Sequence, residues 1–294
     1  MPHNRFKDSA KWAFVSPALI YALIMILAPL AYTLFLSFHQ WSMSGVDKPL
    51  FVNIKNYADL CKDDRFLMAI LRTFLFSAMA LPFELVLGIA IAMLLNRDFK
   101  GKNIIKSLFL LPMVATPVSV GLVWMLMYEP TIGIANTLLG LLGITKLPIW
   151  LGSPNSAMFS LAIVDIWQWT PMISLIVLAG LSALPNEPLE SAKVDGATKL
   201  QTTFKIVLPM LAPTITAAAL LRLIDVLKIF DIIYATTKGG PNFATETLNI
   251  YAFVQAFQYF SFGYASAVLV VFFLIILAVS VAFVLIRNKF RVEM

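Results

Sequence analysis

The sequence predicts an all-α integral membrane protein with six transmembrane helices and both termini in the cytoplasm. Three observations lead there. The chain of 294 residues is 60% hydrophobic and only 13% charged, and its mean hydropathy is +0.85. So few polar residues cannot coat a solvated surface, so lipid must replace water around most of it. Second, six stretches approach the roughly 20 apolar residues that a membrane-crossing helix needs. Third, Lys and Arg are shared unequally between alternate connections.

The predicted spans run about 12–38, 73–95, 107–128, 156–184, 210–234 and 262–286. The first has no charge and is too long for a cleavable signal core, so it reads as a retained anchor. The second contains Glu84 and the fourth Asp165. The fifth contains Arg222, Asp225, Lys228 and Asp231. The last is again uncharged. Pro112, Pro117 and Pro171 are expected to kink their spans. One set of flanks holds Arg5, Lys7, Lys11, Arg97, Lys100, Lys102, Lys106, Lys193, Lys199, Lys205, Arg287, Lys289 and Arg291, thirteen cations. The other holds seven: Lys48, Lys55, Lys62, Arg65, Arg72, Lys146 and Lys238. Five of those seven share a loop with Asp47, Asp59, Asp63 and Asp64. The richer side is cytoplasmic, which accounts for the net charge of +6 without a nucleic-acid partner.

The outer connections, 39–72, 129–155 and 235–261, carry Trp41, Phe51, Tyr57, Trp150, Tyr251, Phe257 and Tyr259. Such aromatics suit a membrane interface or a docking partner. The whole chain, 1–294, reads as one membrane domain.

Several chemistries are excluded. One cysteine, Cys61, forbids an internal disulfide, and with only His3 and His39 a Cys/His metal site has no ligands to draw on. No G-x-S-x-G or H-E-x-x-H string occurs, so no catalytic residue is assigned. Gly101-Lys102 has Asn96 where a Walker A loop needs its first glycine. A secondary transporter would usually show an internal repeat, and none is evident. A membrane enzyme would cluster acids or histidines at one face, and none cluster.

The cytoplasmic segment 185–209 is charged in an apolar chain. Pro188 suits a first helical turn, and Glu187 and Glu190 suit its dipole. Asp195-Gly196 offers a bend, because glycine tolerates φ values that stop a helix. Leu200, Phe204 and Val207 make one apolar stripe on a second helical stretch, 197–207. Pro209 then re-aims the chain into the fifth span. On pattern alone, this could equally be a plain amphipathic connector.

Glu190-Ser191-Ala192, three residues, Gly196, nine residues, Ile206-Val207-Leu208-Pro209 resembles the "EAA" loop of bacterial ABC-importer permeases, E-A-A-x3-G-x9-I-x-L-P. Only Ser191 departs, small for small. "FDIIYATTKGGPNFATETL" from Phe230 and "FVNIKNY" from Phe51 resemble segments of the carbohydrate, maltose-permease-like branch; Asn53 stands where that branch has glycine. The resemblance implies a type I importer permease fold (the methionine-permease-like class) and import of a sugar, oligosaccharide or polyol across the inner membrane. A glycerol-phosphate-like solute is the alternative within the family. It implies a second homologous permease, two cytoplasmic ATP-binding subunits that hold ATP-Mg, and an extracytoplasmic solute-binding protein. It implies no cofactor on this chain. Glu190, Ser191, Ala192, Asp195, Gly196, Leu208 and Pro209 would form the element that the ATPases grip.

Intramembrane charges are costly and usually face a cavity or a partner. Along one helix Arg222, Asp225, Lys228 and Asp231 alternate in sign at i, i+3, so neighbours can pair, while Arg222 and Asp231 point to opposite sides. Two readings stay open: charges that pair with one another against neighbouring helices, or groups that bind solute hydroxyls. Glu84 stands alone in its span and is a candidate partner for Arg222. Asp165, Trp167, Gln168 and Trp169 form a polar and aromatic cluster suited to a sugar ring, or equally to packing.

Overall fold

The computed structural model describes residues 5–42 and 48–291. His3 and Asp47 lie outside them, as do the side chains of Arg5, Lys7, Lys11 and Arg291. In chain order the described elements are α1 (Arg5–Ser37), β1 (His39–Gln40), β2 (Leu50–Phe51), α2 (Lys55–Leu60), α3 (Asp64–Leu95), α4 (Lys102–Val114), α5 (Pro117–Met127), α6 (Ile134–Leu141), α7 (Pro154–Ser182), α8 (Glu187–Val194), α9 (Lys199–Thr202), α10 (Leu208–Leu227), α11 (Asp231–Thr236), α12 (Leu248–Phe253) and α13 (Phe262–Arg291). Among the described residues, five helical stretches are long and apolar enough to cross a membrane, or six if the bent pair α4–α5 counts as one. The predicted all-helical, six-span class is therefore the observed one.

The chain divides into two compact units, one from Met1–Asp63 and Ala252–Leu274, the other from Asp64–Tyr251 and Ile275–Met294. In the first, β1 pairs antiparallel with β2, His39 opposite Phe51. The hairpin is pinned by the motif that follows it. Asn56 Nδ2 donates to the carbonyls of Ser37 (2.8 Å) and His39 (3.1 Å), and the Tyr57 hydroxyl donates to Ser37 Oγ (2.6 Å). Asn53 has φ +56°, the left-handed region that asparagine tolerates and glycine prefers. That is why asparagine can stand where the resembled segment has glycine.

The second unit is built on α3, α7 and α10. Their core contains Ala92, Leu95, Ile173, Val177, Leu178, Leu211 and Ala218. Lipid supplies no hydrophobic drive between helices, so small residues that allow close approach matter most. Gly88 shows this: a Cβ placed there would lie 2.6 Å from Ile173 Cγ2.

The structure corrects three span predictions. The stretch 107–128 is not one kinked helix. It stops at Ala115–Thr116, and its halves, α4 and α5, lie 99° apart. Thr116 is extended, Oγ1 accepts from Ser119 N–H at 3.4 Å, and Pro117 takes the first helical turn. Proline there needs no donor, while the residue before it is driven out of helical geometry. Pro112 and Pro171, by contrast, lie inside continuous helices.

The fifth span, predicted as 210–234, ends its first helix at Leu227 and restarts at Asp231. At its other end Pro209 does not re-aim the chain. From α9 the helix runs through a π-helical turn, Thr203–Val207, into α10. The wide turn fits the physics of Pro209, which cannot donate to the Lys205 carbonyl and whose ring would crowd it. The second span starts earlier than predicted, since α3 already begins at Asp64 and places Arg65 and Arg72 on the helix.

Gly88→Ala should force α3 from α7 and destabilise the protein by about 1–3 kcal/mol. Thermal unfolding of the purified chain in detergent measures this, and an unchanged midpoint would contradict the close approach.

Candidate functional site

At the centre of the second unit three spans contribute one charged group each. Arg222 of α10 donates from Nε to Glu84 Oε2 (2.6 Å) and from Nη2 to Glu84 Oε1 (2.9 Å), a bidentate fork onto α3. Nη2 also donates to Asp165 Oδ2 of α7. The three residues are 2%, 0% and 1% exposed, respectively. The Trp169 ring lies 5.1 Å from Arg222 Cζ, within cation–π range. A planar guanidinium suits this role because its donors match a carboxylate edge with geometry to spare for a second acid. The candidate pairing of Glu84 with Arg222 is thus observed.

The remaining charges of the predicted fifth span separate from it. Arg222 does not pair with Asp225. Asp225 instead meets Lys228 at 3.4 Å, both half exposed. Asp231 opens α11 and is exposed. Of the i, i+3 steps predicted from Arg222 to Asp231, Asp225–Lys228 forms, whereas Arg222 turns to Glu84 and Asp165 and the helix ends at Leu227, short of Asp231.

The cluster around residue 167 also divides, since neighbours on a helix are about 100° apart. Gln168 is buried and its Nε2 donates to the Ala115 carbonyl at 3.2 Å. It thereby satisfies an acceptor freed where α4 stops. Its Oε1 is buried with no hydrogen-bond partner. Trp167 is half exposed and meets Trp124 edge-on at 5.6 Å. With Leu108, Phe109, Leu111, Pro112 and Ala115 it lines a groove of 390 Å³ beside the break.

One ion pair was not anticipated. Arg65 of α3 donates from Nε (2.8 Å) and Nη2 (2.6 Å) to the two carboxylate oxygens of Glu246. Its Cζ lies 4.1 Å from the Phe243 ring and 5.5 Å from that of Tyr251. Thr245, Glu246 and Thr247 are all buried, and Leu248 N–H donates to Thr73 Oγ1 at 2.9 Å. The "ATETL" string was visible as a motif, and Arg65 as an outer-side charge. Nothing in their spacing, 181 residues apart, joined them.

On the predicted cytoplasmic side, α8 ends in a Schellman arrangement. Ala197 N–H donates to the Ala192 carbonyl (2.9 Å) and Gly196 N–H to that of Lys193 (3.2 Å). Gly196 has φ +73° with open space around it, so the glycine is required by the backbone angle, not by crowding. Thr198 and Gln201 then form a capping box that starts α9. Ala192 is buried, whereas Glu190, Ser191, Asp195 and Gly196 are exposed. Val194, Leu200 and Phe204 are 88%, 71% and 65% exposed. Leu208 and Pro209 are half-buried at the start of α10.

Residues 64–292 match the family described as the binding-protein-dependent transport system inner membrane component. The chain belongs to this family. It is a multi-pass permease subunit of the inner membrane, a transport component and not an enzyme. The permease is 33% identical over 280 residues to the trehalose/maltose transport system permease protein MalF of Thermococcus litoralis, covering 95% of this chain and 94% of that one. It is 39% identical to the probable ABC transporter permease protein y4oQ of Sinorhizobium fredii, covering 94% and 89%. It is 34% identical to the multiple sugar-binding transport system permease protein MsmF of Streptococcus mutans, covering 96% of both. The fold is similar to a chain of a crystal structure of a bacterial ABC transporter involved in import of the acidic polysaccharide alginate, with TM-score 0.84 and 22% identity over 96% of both chains.

Arg222→Ala would leave two buried carboxylates without their cation and should cost this permease about 3–5 kcal/mol. Arg222→Lys keeps the charge but loses the fork, so its loss should be smaller. Unfolding midpoints in detergent check the order; equal losses would show that the fork geometry contributes nothing.

Proposed function

We propose that this permease forms one half of the translocation path of an ATP-driven importer for a sugar, oligosaccharide or polyol, and that α8 with its glycine stop is the element through which cytoplasmic ATPases move it. The observation that carries the coupling role is the α8 terminus. A short helix held by a Schellman stop is a stiff lever, and a stiff element transmits a domain movement that a loop would absorb. Exposed Val194, Leu200 and Phe204 supply apolar surface for a protein partner. Exposed Glu190 offers a charge for a basic group on that partner.

The cargo class rests on the relatives named for trehalose/maltose and for multiple sugars. A similar chain comes from the structure of an alginate transporter in complex with an alginate pentasaccharide-bound periplasmic protein, which supports a solute-binding protein as the extracytoplasmic partner. A second, homologous permease and two ATP-binding subunits that hold ATP-Mg complete the assembly. The Trp167 groove is the place for a solute. An indole face packs on the apolar face of a pyranose, and Trp167 is half exposed in this groove. Glu84, Asp165, Trp169 and Arg222 act as the fixed wall of the path, and Asp225, Lys228 and Asp231 line polar surface away from it.

Two variants test the coupling role. Gly196→Pro demands φ near −65° where +73° is present, and Glu190→Lys reverses the exposed charge. Both should insert in the membrane yet lose ATPase co-purification and ATP-dependent uptake in proteoliposomes. Normal uptake in both would remove the role. Trp167→Ala should retain the ATPases and lower uptake of the solute held by the co-purifying binding protein. Uptake equal to wild type would take the solute path away from this groove.

A further inference from the structure

The outer connection between α5 and α7 contains α6, and its surface is anomalous for water. Ile134, Leu138, Leu141 and Leu142 fall at i, i+4, i+7 and i+8, so they share one helix face. They are 52%, 54%, 79% and 78% exposed, and Ile132 just before them is 85% exposed. No Asp, Glu, Lys or Arg occurs from residue 130 to residue 145. An uncharged, outward-facing apolar stripe of this kind marks a contact.

The opposite face of α6 is fixed. Asn136 is buried; its Nδ2 donates to the carbonyls of Pro130 (3.1 Å) and Pro148 (3.3 Å), and its Oδ1 accepts from Trp150 Nε1 (2.8 Å). Trp150 stacks on Tyr128 with centroids 5.0 Å apart, and the Tyr128 hydroxyl donates to the Ser160 carbonyl of α7 (3.1 Å). The entry turn is equally tight. Gly133 N–H donates to the Glu129 carbonyl at 3.0 Å. Glu129 Oε2 accepts from the N–H groups of Ile132 and Thr131 and from the Thr131 hydroxyl, each at 2.7 Å. Those bonds, the Ile132 N–H foremost, lower the Glu129 pKa below its ordinary value. Accordingly only the tight segment 128–133 separates α6 from α5, and α6 cannot drift from the end of that span.

We propose that α6 is an interfacial helix whose Ile134, Leu138, Leu141 and Leu142 face lies in the headgroup–acyl boundary of the outer leaflet. Its place and chemistry both argue for lipid. It is tied to the end of a span beside a Tyr–Trp pair of the type enriched at membrane surfaces. At eight residues it is too short to cross the bilayer, and its apolar face is the half that an interfacial helix inserts. Lipid needs no matching charge, and this face has none.

The experiment uses the full chain with its co-purifying subunits in phosphatidylethanolamine–phosphatidylglycerol vesicles. In a Cys61→Ser background, a nitroxide is attached at Leu138→Cys, Leu141→Cys or Lys146→Cys, and its relaxation by oxygen and by a water-soluble nickel chelate is compared. Oxygen should dominate at 138 and 141, and nickel at 146. Dominance of nickel at 138 and 141 would put the face in water and overturn the proposal. Low access to both reagents there would assign it to a protein partner and overturn it as well.

Discussion

One buried cation holds the membrane core together. Arg222 binds Glu84 through two nitrogens and Asp165 through one of them, so a single side chain on α10 ties α3 and α7 to itself. In an apolar surround an unpaired acid is severely penalised. Each of the three residues therefore makes the presence of the others necessary, and the helices that carry them must keep their rotation and depth. The apolar packing around Ala92, Ile173, Val177 and Leu211 and the close approach at Gly88 then follow from where the ion pair sets the three axes.

The interruptions in the other helices show the complementary constraint. Backbone groups freed at membrane depth need partners. Gln168 supplies one for the Ala115 carbonyl at the 99° corner. Asn249 supplies one where α10 stops, its Nδ2 donating to the Lys228 carbonyl at 2.6 Å. The π-helical turn before Pro209 solves the same problem inside a helix by widening it.

Much of this was legible in the chain. A run of apolar residues at bilayer length reports its environment whatever its neighbours are, so the membrane class and the approximate places of the apolar helices could be read directly. Gly196 was legible too, because only its backbone angle is at stake. The partner of Arg222 was legible in part, since the few charges in apolar spans have few candidates. Arg65 and Glu246 were not, because each lies in a segment with other charges or polar groups and their meeting is set by how the chain returns on itself. The unity of residues 167–169 was overestimated, because adjacency along a helix places side chains in different directions.

What the sequence alone determined is therefore local or one-dimensional: hydrophobic length, charge bias, the glycine stop after α8 and the spacing of its motif. The tertiary structure decided the rest. It broke the third span at Ala115–Thr116, ended α10 before Asp231, and gathered Glu84, Asp165 and Arg222 from three helices. The physical reason is that a buried charge or a freed carbonyl is satisfied only by a group in the right place in space, and distance along the chain carries no record of that place.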